Sequence, residues 1–139
     1  MGSWGTGPFD DDTAMDFIDA LADTPTDVRL RRLAAAVDRL LLPQNAEDYT
    51  MAVEAVAAAA ILAGAGVEQE QTATWEIPPL TADRAEAAMT AVANAYADHG
   101  IIAELAAEAG TLSEHRAAIE PVRERLRAAI PPPQDEVLF

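Results

Sequence analysis

The chain has 139 residues, half of them apolar but only 5% aromatic, and a formal net charge of −15. That length suits one domain able to bury ~70% of its unfolded surface, packed with alanine and aliphatic side chains. The absence of cysteine excludes a disulfide framework, a thiolate metal site and a cysteine nucleophile, while the negative field repels nucleic acid and anionic membranes and attracts basic partners or cations.

The N-terminus carries Trp4, Gly5, Gly7, Pro8 and Phe9 ahead of Asp10, Asp11 and Asp12. Paired aromatics and glycines in so short a span indicate a specified loop, in which Gly5 and Gly7 let the backbone fold Trp4 and Phe9 onto the body of the protein. A phosphate loop is excluded, because the helix that follows opens with three negative charges instead of a basic side chain. A first helix is predicted over residues 12–21, with Ala14, Phe17, Ile18 and Leu21 on one face. The aspartates cap its free N–H groups and meet the positive end of its dipole.

A second helix follows the break at residues 23–26. It has Leu30, Leu33, Ala34, Val37, Leu40 and Leu41 on one face, has Arg29, Arg32 and Arg39 on the other, and stops at Pro43. The third, over residues 46–63, has no polar side chain from Ala55 to Ala63, the pattern of a helix at the centre of a bundle. Residues 64–79 read as a linker anchored by Trp75. A fourth helix from Thr81 buries Ala85, Ala88, Met89, Val92 and Tyr96, with Gly100 suited to its C-terminal cap. A short helix over residues 101–109 ends at Gly110.

The last helix begins with Thr111, Leu112, Ser113 and Glu114, which read as a capping box. Leu112, Ile119, Val122, Leu126 and Ile130 continue its stripe, and Pro121 is expected to kink it. Glu120 with Arg123, and Glu124 with Arg127, are spaced to pair. The prolines from Pro131 end the folded part. These readings add up to an all-α single domain of five or six helices over residues 1–130, with the N-terminal loop packed on it and an extended tail over residues 131–139. The most apolar stretch is shorter than the ~20 residues a membrane span needs. With no basic leader segment visible, the expected compartment is the cytoplasm.

Trp4, Gly5, Gly7, Phe9, Asp10, Asp12, Ala14 and Asp16 match the opening signature Trp-Gly-x-Gly-x-Phe-Asp-Asn-Asp-x-Ala-x-Asp. In this the chain resembles the bacterial family called domain of unknown function 4259. Asp11 stands where that family usually has asparagine, and Phe17 where it often has tryptophan. The Ala-rich helix around Glu54 resembles the family's second block. The resemblance implies no activity and transfers no catalytic residue.

Asp10, Asp12 and Asp16 carry oxygen ligands of the kind calcium or magnesium prefer. Their spacing nevertheless fails the calcium-loop pattern, since Ala14 holds the third ligand position. Glu54, on the most apolar helix, is either a general base or a structural anchor. As an anchor it would face an arginine of the second helix, or bond Trp4 or an N-terminal amide. His99 and His115 lie near helix ends, and no nucleophile, histidine and acid share a recognisable spacing. Trp4, Phe9, Asp10, Asp12, Asp16 and Glu54 are thus the candidate residues. No cofactor is implied, and a basic protein is the expected partner. The favoured reading is a non-enzymatic binding module of immunity-like or accessory type. Its alternative is a metal-assisted hydrolase using Asp10, Asp12, Asp16 and Glu54.

Overall fold

A computed structural model describes residues 7–65 and 72–131. Trp4 and the tail beyond Pro131 lie outside the described residues. Six α-helices and one 3-10 turn make a single helical bundle, with no strand among the described residues: α1 (Asp12–Ala22), α2 (Thr26–Arg39), the turn Pro43–Glu47, α3 (Tyr49–Leu62), α4 (Ala82–Ala95), α5 (Ile101–Ala109) and α6 (Leu112–Ala128).

The centre is α3, as its composition requires. It packs against α1, α2, α4, α5 and the 3-10 turn, and from Ala55 to Leu62 every residue is buried. Its alanines present almost nothing beyond the backbone, so neighbouring helices approach closely while Val53, Val56 and Ile61 supply volume. Ile18 and Leu21 of α1, Leu33 and Val37 of α2 and Val92 of α4 close around it, and Leu126 of α6, which packs against α4 and α5, completes the same core.

Several local expectations are corrected. The segment before α3 is a separate turn, because Pro43 at its start cannot donate a backbone bond and Asp48 then caps α3 by accepting from the Met51 amide at 2.9 Å. Leu41 lies past the end of α2 and is exposed, and Met89 is only half-buried. Gly100 does not end α4. It has φ of −85° and opens α5, and an added Cβ would lie 3.1 Å from the Ala95 carbonyl, so close backbone approach is what demands glycine there. Gly110, at φ +76°, does end α5 in the left-handed conformation.

The capping box at Thr111 does not form. The Thr111 hydroxyl turns back to the Ala106 carbonyl, and Ser113 bonds Glu114 instead. α6 runs on through Pro121. Arg123 pairs with Glu120 at 3.6 Å as spaced, but Arg127 also reaches Glu120, at 3.8 Å. After the undescribed stretch, residues 72–81 return to the bundle with Trp75, Ile77 and Leu80 partly buried against the core. That is more anchorage than Trp75 alone.

Candidate functional site

The N-terminal loop is built on a tight turn. The Asp10 amide donates to the Gly7 carbonyl at 3.2 Å, and the Gly7 amide donates to Asp10 Oδ2 at 3.1 Å. A Cβ on Gly7 would stand 3.0 Å from that carboxylate oxygen, so a larger residue would push the Asp10 side chain away from its bond to the turn. Pro8 pre-sets the backbone for such a turn, and it delivers Phe9, 7% exposed, into the core. The expectation for Phe9 is met.

Asp11 follows, and it does more than its place in the capping run of aspartates implies. It is the N-cap of α1, its Oδ1 accepting from the Thr13 amide at 2.7 Å. Its second oxygen accepts the Tyr49 hydroxyl from the first turn of α3. Asp11 is 8% exposed, a rare burial for aspartate made tolerable by these two donors. Nothing local in sequence links positions 11 and 49.

Burial, the Asp11 hydrogen bond and the Asp11 charge all push the Tyr49 hydroxyl above its ordinary range, with Tyr96 adding to the effect. Burial alone pushes Tyr96 up to about 12. At the start of α6, burial lowers His115 below its ordinary value, against the opposing pull of Glu114 and Asp11. The Asp11–Tyr49 bond thus joins the starts of α1 and α3 across a pairing that no spacing rule would reveal.

The other acidic candidates go elsewhere. Asp10 serves the Gly7 turn, whereas Asp12 and Asp16 are exposed on the outer side of α1. Glu54 meets Arg39 of α2 at 3.4 Å, one of the anchoring arrangements expected for it. No group of three or more histidine, aspartate or glutamate side chains able to hold a metal occurs among the described residues. The four carboxylates of the hydrolase reading are therefore not brought into one metal-holding group.

A groove of about 200 Å³ runs between Phe9 and the Pro121–Arg125 stretch of α6. It is smaller than the ~300–1,000 Å³ of ordinary small-molecule pockets. No helix among the described residues is long and apolar enough to cross a membrane.

With the Gly7–Asp10 turn and its capped helix in view, the sequence comparison is decisive. The profile of the family described as Domain of unknown function (DUF4259) matches residues 2–114. The chain belongs to that family. Searches of curated proteins and of solved structures found no match. The family match takes in the N-terminal turn, the Asp11–Tyr49 contact and the central helix, and it stops at the beginning of α6.

Proposed function

We propose that the protein is a non-enzymatic binding module whose acidic surface holds a basic protein partner. The observation that carries this reading is where its few cations go. Of the nine arginines, seven are engaged within the described fold: Arg29 with carbonyls that end α1, and Arg31, Arg39, Arg84, Arg116, Arg123 and Arg127 with carboxylates. The excess of acid is projected outward.

That excess has a clear locus. Asp12, Asp16, Asp19 and Asp23 recur at the spacing of one helix face along α1, all exposed, with no basic residue within the helix. Glu104 and Glu108 are exposed on α5. A field of this sign speeds encounter with a cationic surface and discriminates against anionic ones. No catalytic residue and no cofactor enter this reading.

The test is capture of partners from the native host by wild-type protein and by a variant with Asp12, Asp16, Asp19 and Asp23 changed to asparagine. A basic protein should be retained at low salt, released as salt rises and lost with the variant. Retention that is flat in salt and indifferent to the four substitutions would refute the reading.

A further inference from the structure

We propose that residues 72–81 form a strap latched onto the bundle by Arg29, so that the strap and the end of α1 open together. The inference is independent of the partner reading and rests on one side chain facing two ways.

Arg29 lies in the first turn of α2, a few residues beyond the end of α1. Its Nε donates to the Leu21 carbonyl at 3.2 Å, and its Nη2 to the carbonyls of Ala22 at 3.3 Å and Thr24 at 3.0 Å. Leu21 and Ala22 belong to the last turn of α1 and Thr24 to the turn beyond it. The Leu21 oxygen also accepts from the Thr24 amide at 3.0 Å and the Thr24 hydroxyl at 2.7 Å, so Arg29 joins a bonded helix end. A guanidinium also complements the negative end of the dipole there. The edge of the fork is therefore committed to α1.

Its face is committed elsewhere. The guanidinium carbon stands 4.3 Å from the centre of the Trp75 ring, a cation–π contact with a residue distant in sequence. Trp75 is the largest side chain of the strap. Its neighbours Ile77 and Leu80 also face the core, while Glu76, Pro78 and Pro79 are exposed. One turn bond, from the Trp75 amide to the Thr72 carbonyl at 3.1 Å, is the backbone bond found within the strap among the described residues. Buried Thr72 and the core-facing Trp75, Ile77 and Leu80 anchor the strap through their side chains.

The geometry couples the two. Donation to three carbonyls fixes the guanidinium plane, and the fixed plane offers Trp75 its face. If Trp75 leaves, the plane loses one side of its seat, and if the carbonyl bonds break, the ring loses its platform. Lysine cannot replace this, since an ammonium lacks both the planar fork and the stacking face.

The experiment uses Arg29→Lys and Trp75→Leu, with Trp75 fluorescence read in a Trp4→Phe background. Arg29→Lys should raise acrylamide quenching of Trp75 about threefold. Trp75→Leu should speed hydrogen exchange of the amides of residues 21–24 about tenfold, although Trp75 bonds none of them, and leave α3 unchanged. Unaltered exchange at residues 21–24 in Trp75→Leu, or unaltered quenching in Arg29→Lys, would overturn the latch. Should a variant fail to fold, the Trp4→Phe protein alone decides in sub-denaturing urea. A shared midpoint for Trp75 exposure and α1-end exchange supports the latch, and two separate midpoints overturn it.

Discussion

α3 and α1 pack against each other in the same core, but they are specified by different chemistry. α3 is apolar on nearly every side, and its position follows from the need to surround such a helix with others. α1 has one buried stripe of Ala14, Ile18 and Leu21 and an acidic outer face, and polar contacts hold both its ends. Asp11 caps the start and Arg29 clasps the finish. A helix placed by packing should thus be sensitive to volume, and one placed by polar termini to single hydrogen-bonding groups.

The largest effect is expected in α3. Ile61 is 1% exposed, and Ile61→Ala should cost about 2–5 kcal/mol, the loss of a buried aliphatic side chain plus the cavity left behind. Enlarging a neighbour should also destabilise: Ala58 is wholly buried on the central helix, and Ala58→Leu should cost about 1–3 kcal/mol through overpacking. Urea unfolding midpoints check both. If α3 tolerated each change within a few tenths of a kcal/mol, packing would not be what places it.

At the polar terminus, Asp11→Ala should cost about 1–3 kcal/mol, because it removes the α1 cap and strands the half-buried Tyr49 hydroxyl. Asp11→Asn keeps an acceptor for the Thr13 amide and should cost less. It should also lower the Tyr49 pKa, since the Asp11 charge no longer opposes ionisation while burial still does. Ultraviolet tyrosine titration of the two proteins reads this directly. An unchanged titration in Asp11→Asn would mean that burial alone sets the value.

The same contrast explains what could be read from sequence. The α3 core was legible because nine residues without a polar side chain admit one placement, and Gly110 because a glycine after a short apolar run signals a helix end. The Phe9 burial followed from aromatics among glycines and proline. The Asp11–Tyr49 bond, the Arg29–Trp75 contact and the bond from Asn94 Nδ2 to the Leu40 carbonyl were not legible. Each joins residues tens of positions apart, and nothing in their local spacing selects the partner. Gly100 misled for a related reason: its constraint is the carbonyls packed around its Cα, and no positive φ is involved.

His115 makes the stability of the fold depend on pH. Because burial lowers its pKa in the fold, the unfolded chain takes up protons more readily on acidification. Its contribution is complete above the ordinary value of 6.5 and is lost as pH falls through the lowered folded value. Thermal melts should therefore show wild-type stability declining across this window more steeply than that of His115→Gln. Equal slopes would place the titrating groups elsewhere.

The smallest effect is expected at Glu54, and it separates anchor from catalyst. Had the carboxylate been buried with its arginine, removing its charge would have been severe. Glu54 is instead 20% exposed and Arg39 43% exposed, at 3.4 Å, so water and salt share in solvating the pair. Glu54→Gln should then cost about 0–1 kcal/mol, which lowers the melting temperature by no more than about 4 °C for a chain of this size. Arg39→Met should cost a similar amount, and the double variant should lose less than the sum, because both single changes break one contact. A general base would differ in sign: Glu54→Gln would raise stability, since functional carboxylates are often destabilising where they sit. Melts with magnesium, manganese or calcium complete the test. The anchor predicts the same melting temperature with and without each ion, in wild type and variant alike. A metal-dependent rise in wild type that Glu54→Gln abolishes would replace the binding module with an enzyme.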